Sequence, residues 1–176
     1  SRNNNFRNKR ELEMISKHAI VDNRAKAGEG CSIWHWVHIR EESKIGDNVT
    51  IGANAYIDHH VEIGSNSKIG NGALIYYPAK LGEGVFIGPQ AMLINDKHPR
   101  AIDEEGNKLG VDDWEALGVI IEKGASIGAG AIILPGIRVG AYSMIGAGTV
   151  VSKDVPAYTT VVGATQRTIG VECNHE

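Results

Sequence analysis

Cysteine is scarce in this chain. Only Cys31 and Cys173 occur among 176 residues, which argues against a disulfide framework and is too few for a metal site built on cysteine. That usage fits a reducing compartment, and a cytoplasmic location is expected. Concentrated positive charge is missing as well. The formal net charge is −3 and no Lys/Arg cluster lies in the body of the chain, so nucleic acid is not an expected partner. No apolar run approaches membrane-spanning length, and no membrane span is expected. The strongly polar segment 1–13 holds no apolar stretch of a secretory signal and reads as an arm, or as a remnant ahead of Met14.

What the chain has instead is glycine, 22 residues of it, and a beat six residues long. In Ile45-Gly46-Asp47-Asn48-Val49-Thr50 and Ile51-Gly52-Ala53-Asn54-Ala55-Tyr56 an aliphatic residue opens the hexad, a glycine follows it, and a small residue stands four places on. The aliphatic position recurs from Val21 to Leu93 and again from Ile121 to Val151, giving thirteen hexads and then six. A period of six is neither that of a helix nor the alternation of a hairpin strand. Each hexad is half strand and half corner, with its first and fifth side chains turned inward. Three hexads close a triangular coil, and stacked coils hydrogen-bond as a parallel β-helix. Nineteen hexads predict roughly six coils and a prism on the order of 30 Å long, at about 4.8 Å per coil.

The same beat sets the boundaries. Residues 1–19 are expected as a polar arm, 20–170 as one β-helix domain and 171–176 as a tail. From about Lys97 to Ile120 the register is lost among Pro99, acidic pairs and Trp114, which predicts a loop ejected from one edge of the prism. After Pro156 the beat fades again, and that segment is expected to cover the open edge of the last coil.

The stretch Ile121-Glu122-Lys123-Gly124-Ala125-Ser126-Ile127-Gly128-Ala129-Gly130, followed by Leu134-Pro135-Gly136 and by Ile145-Gly146-Ala147-Gly148-Thr149-Val150-Val151-Ser152-Lys153-Asp154-Val155-Pro156, resembles the hexapeptide-repeat acyltransferases. Ile33-Trp34-His35-Trp36-Val37-His38-Ile39, Gly84-Val85-Phe86-Ile87-Gly88-Pro89 and Asn95-Asp96-Lys97-His98-Pro99-Arg100 are similar, within that family, to the enzymes that N-acetylate amino groups of nucleotide-linked sugars. The resemblance implies an all-β, left-handed winding, a homotrimer with its active sites between adjacent prisms, acetyl-CoA as acyl donor, and no required metal. It implies direct transfer in a ternary complex to a sugar, with a backbone amide steadying the oxyanion.

By the same resemblance Gly128, Ala129, Gly146 and Ala147 line the pantetheine arm, and Lys153 and Arg167 meet the phosphates of the donor. His98, placed where the loop begins, is the candidate base, since an imidazole can accept a proton near neutral pH. Asn95 is the second candidate, because the sugar N-acetyltransferases that otherwise match carry no histidine at the position of His98. A hydroxyl acceptor would need a true base, so O-acetylation through His98 is the alternative reading.

Register adds an inference independent of family. Equivalent positions on successive coils are eighteen residues apart, so Asn95 should stand in line with Tyr77 and His59, and His98 with Lys80. That column makes His59, His60, Tyr76 and Tyr77 candidate acceptor contacts, with Arg100 on the loop beside them. His35 and His38, flanked by Trp34 and Trp36, lie lower and could stack on a nucleotide base or brace an interface. Two rivals remain: a γ-class zinc carbonic anhydrase assembled from His59, His60 and His98, and a scaffold without catalytic function.

Overall fold

The computed structural model describes residues 14–164, together with the backbone of residues 167–171. It is the all-β, left-handed parallel β-helix expected from the six-residue beat. Nearly every strand is two residues long, and each ends on the aliphatic residue that opens a hexad. Side chains such as Ile33, Ile51, Ile57, Ile75, Ile87 and Ile127 are fully buried and stack along the axis, each contributing roughly 1.5–3 kcal/mol. Position five sits beneath them as Val37, Val49, Ala55, Ala73, Ala91 or Ala131. Where it is serine, the hydroxyl is satisfied from within: the one O–H of Ser43 is shared between the carbonyls of Arg40 and Asp58, each 2.8 Å from Oγ.

Three sheets form the faces. The first holds nine strands, from Met14–Ile15 up to Thr159–Val162, and ends with the antiparallel Arg167–Val171. The second holds seven, from Ile20–Val21 to Val150–Val151, and the third six, from Lys26–Ala27 to Arg138–Val139. The first face therefore has eight parallel rungs (nine strands less the antiparallel one), more than the roughly six coils expected. The difference comes from both ends. Met14–Ile15 pairs with Ser32–Ile33 below the first hexad counted, and Thr159–Val162 continues the stack although its sequence has left the beat. The antiparallel strand then covers that last rung, as the tail was expected to do.

Corners turn through the left-handed region at hexad position four. Asn48, Asn54 and Asn66 sit there with φ of 55°, 59° and 62°, and Gly84 with 68°. Glycine at position two has a different cause. A Cβ on Gly64 would come within 2.5 Å of the Glu83 backbone nitrogen in the coil above, so only glycine lets the coils close to hydrogen-bonding distance.

The outward residues distinguish the faces. The third carries Lys26, Lys44, Glu62, Lys80 and Arg138, with Glu62 bridging Lys44 and Lys80 at 3.3 and 3.7 Å. The first is mixed, with Lys68 at its middle. The second carries Ile20, His38, Tyr56, Leu74, Met92, Ile132 and Val150, with no Asp, Glu, Lys or Arg among them. Among the described residues, no helix is long and apolar enough to cross a membrane.

Candidate active site

The corner joining the second and third faces gathers most of the acceptor candidates. Asn95 Nδ2 donates to the Tyr77 carbonyl at 2.6 Å, and the His59 ring lies 4.4 Å from that of Tyr77, so the expected column of His59, Tyr77 and Asn95 exists. His60 joins it at 5.3 Å from His59 and 5.9 Å from Tyr77. Tyr76 turns the other way, toward the second face, where its ring lies 5.7 Å from that of Tyr56. Among the described residues Nδ1 of His59 is buried without a hydrogen-bond partner, which leaves Nε2 as the ring nitrogen available to a ligand.

Beneath the column lies a carboxylate that the sequence reading passed over. Asp58 is only 7% exposed. Its Oδ1 accepts from Arg40 Nη1 at 3.0 Å, from the Tyr56 hydroxyl at 3.1 Å and from the His59 backbone N–H at 2.9 Å, while Oδ2 accepts from the Tyr77 N–H at 3.2 Å. Burial pushes the Tyr56 phenol up, which keeps it a donor to Asp58. The carboxylate thus fixes the backbone on both sides of the His59–Tyr77 contact. A signal for it was present: Arg40 and Asp58 are opposite charges eighteen residues apart, hence on adjacent rungs.

His98 does not stand over Lys80. Lys80 pairs with Ile120, because the chain has already left the prism when it reaches His98. The excursion starts after Ile94, whose N–H still donates to Ile133 O at 3.1 Å. Its two ends are tied where Leu117 N donates to Asn95 O at 2.9 Å. Between them the loop folds on itself, with Ile102 bridged to Lys108 and the Asp103 carboxylate accepting from Asn107 N at 2.7 Å. His98 and Arg100 line a pocket of about 370 Å³ with Asp96, Asp113 and Trp114, and the His98 N–H donates to Asp96 Oδ1 at 2.8 Å. Among the described residues, His98 does not come together with His59 and His60 in a group that could hold a metal ion.

The donor candidates lie elsewhere. Gly128, Ala129, Gly146 and Ala147 occupy the corner joining the first and second faces, on two successive coils near the top of the prism. Gly128 and Gly146 commit their own N–H groups to Ile145 O and Val161 O, both at 2.8 Å. The N–H groups of Ala129 and Ala147 enter no such coil-to-coil bond among the described residues, and both residues are exposed. Lys153 is exposed on the opposite edge of the second face, in the register column of His59, Tyr77 and Asn95. The side chain of Arg167 lies outside the described residues. Within one chain, then, the donor corner and the acceptor corner are the two edges of the second face.

Known proteins share this architecture. The family of bacterial transferase hexapeptides (six repeats) matches residues 24–59, 42–77, 60–95 and 118–153. A dTDP-3-amino-3,6-dideoxy-alpha-D-galactopyranose 3-N-acetyltransferase of Aneurinibacillus thermoaerophilus is 46% identical over 54 residues, 31% of this chain and 28% of that protein. PerB of Caulobacter crescentus, solved with CoA and GDP-perosamine, superposes with a TM-score of 0.58 at 25% identity, covering 91% of this chain and 58% of PerB. A variant of GDP-perosamine N-acetyltransferase from the same organism, with one histidine replaced by alanine and the same two ligands bound, gives 0.57 at 25% identity, again covering 91% of this chain and 58% of that one. The chain thus spans well under two thirds of the length of these relatives.

Proposed function

We propose that this chain, which belongs to the bacterial transferase hexapeptide family, transfers the acetyl group of acetyl-CoA to an amino group of a nucleotide-linked sugar. The ligands of PerB and the name of the Aneurinibacillus relative support that donor and that acceptor class. The observation that carries the geometry is the second face. Among the described residues it is the one face whose strands carry no Asp, Glu, Lys or Arg at their outward positions, and its two edges hold the two halves of the candidate site. Three copies packed with this face toward a threefold axis bury it, and each donor corner then meets the acceptor corner of a neighbour.

In that cleft Ala129 and Ala147 offer N–H groups to the amides of the pantetheine arm, and Lys153 of the adjoining copy faces the donor's phosphates. The donor corner at Gly128 lies three rungs above that of His59, about 14 Å at about 4.8 Å per rung, so the thioester reaches down the cleft to the acceptor. The sugar amine attacks the thioester carbonyl, its proton passes to His59 Nε2, and collapse of the tetrahedral intermediate breaks the carbon–sulfur bond and releases the CoA thiolate. His59 then returns the proton to the thiolate, so that an amide and free CoA leave. Asp58 and Tyr77 hold His59 in place, and Asn95 and the loop border the sugar.

The test is a thiol-release assay with acetyl-CoA against UDP-, dTDP- and GDP-linked amino sugars and their hydroxy counterparts, with the product identified by mass. Amino sugars are expected to gain one acetyl group. Acetylation confined to hydroxyls would instead support an O-acetyltransferase, and silence throughout would remove nucleotide sugars as acceptors.

A further inference from the structure

The lowest coils carry an aromatic group for which the transfer chemistry has no use. Trp36 occupies hexad position four on the corner joining the first and second faces, with φ at 62°. On the coils above, that corner position is held by Asn54, Gly72, Gln90, Gly130 and Gly148. A bulky aromatic is among the least comfortable residues in the left-handed region, and strain of this kind gathers at ligand sites. Burial does not compensate for it, because Trp36 is 62% exposed. Its ring is nevertheless held flat. The indole stacks on His18 at 4.9 Å and 25°, and His18 stacks on His35 at 5.7 Å and 29°. Among the described residues no aromatic ring covers the other face of the indole.

We infer that Trp36 is the shelf on which the base of the nucleotide-linked acceptor stacks, an inference that rests on the acceptor class proposed above. In the threefold arrangement the corner of Trp36 adjoins the neighbour's acceptor corner, the one that carries His59 and Asn95. The Trp36 coil lies one rung below that of His59 and three below that of Asn95, about 5 and about 14 Å at about 4.8 Å per rung. The diphosphate and sugar cross the cleft between a base on the shelf and the amine at His59, with Asn95 bordering the sugar above. Donor and acceptor thus enter the cleft from opposite ends, acetyl-CoA from the upper coils and the nucleotide from the lower. Every nucleobase has a π face, so an indole shelf gives affinity for the class without choosing among bases.

The experiment is calorimetric titration of the assembled protein with UDP, dTDP and GDP, and with pyrophosphate as a control without a base. It uses wild type, Trp36→Ala, Trp36→Phe and Trp36→Gly. Loss of the shelf is expected to weaken nucleotide binding roughly 5- to 150-fold in the Ala and Gly variants, to leave pyrophosphate binding as it was, and to be largely repaired by Phe. KM for the nucleotide sugar should rise in step while kcat holds. Trp36→Gly, which relaxes the corner, should melt no earlier than wild type. Unchanged nucleotide affinity in Trp36→Ala, or no nucleotide binding by wild type, would overturn the assignment. So would dissociation of the Ala and Gly variants, which would make Trp36 a brace between copies. Nucleotide binding that depends on Trp36 without acetyl transfer would sink the proposed reaction and leave the shelf standing; transfer indifferent to Trp36 would do the reverse.

Discussion

Replacing His59 with alanine is expected to lower kcat for acetyl transfer to an amino sugar by about 10²- to 10⁴-fold, the usual contribution of a positioned general base. The attacking amine acquires positive charge as its nitrogen bonds to the thioester carbon, and the proton it must then shed needs an acceptor within the cleft. His59 is held for that task by contacts that do not involve its Nε2: the ring lies against Tyr77 at 4.4 Å, and its backbone N–H is fixed by Asp58 at 2.9 Å. His98 sits in the loop's own pocket with Arg100 and Trp114. His98→Ala is therefore expected to change KM for the acceptor more than kcat. Steady-state kinetics of both variants decide the matter. A large kcat loss in His98→Ala with His59→Ala near wild type would move the base onto the loop.

Ile132→Asp is expected to abolish both assembly and activity while leaving the prism folded. The side chain points outward from the second face, between Met92 and Val150 on the neighbouring rungs, and takes no part in the interior stack. Around a threefold axis the substitution would bring three carboxylates together in an apolar contact. Each buried unpaired charge there costs several kcal/mol. Sedimentation velocity should show trimers of the wild type and monomers of the variant, with an unchanged far-UV circular dichroism spectrum. Acetyl transfer should fall below one hundredth, a loss of about 2.7 kcal/mol or more in transition-state stabilisation. A monomeric variant that keeps its activity would show that one prism holds a whole site.

The stack was legible in the sequence because a strict period of six leaves little freedom: once Ile45, Ile51 and Ile57 are inward, the eighteen-residue register follows. That arithmetic also placed His59, Tyr77 and Asn95 in one column. It failed for His98, since register holds only while the chain stays on the prism, and the chain departs after Ile94. The rung at Met14–Ile15 keeps the beat, with Ile15 six residues before Val21, but follows directly on the polar segment and reads as part of it; Thr159–Val162 pairs through backbone hydrogen bonds after its sequence has left the beat, which side-chain spacing does not report. Asp58 was hidden for another reason. A polar residue at hexad position two is ordinarily a solvated corner, and only its match with Arg40 one coil below marks it as a buried anchor.

The central claim is that each site is shared between copies, with the donor corner from one and the acceptor corner from the next. Mixing two inactive variants tests it directly. His59→Ala spoils the acceptor corner and keeps the donor corner, whereas Ala147→Trp blocks the donor corner and keeps the acceptor corner. Co-refolded at equal amounts into mixed trimers, they should recover about a quarter of wild-type activity, because a random neighbour pair joins the two intact corners about one time in four. Activity that stays at the level of the separate variants, in mixed trimers verified by mass spectrometry, would contradict a shared site.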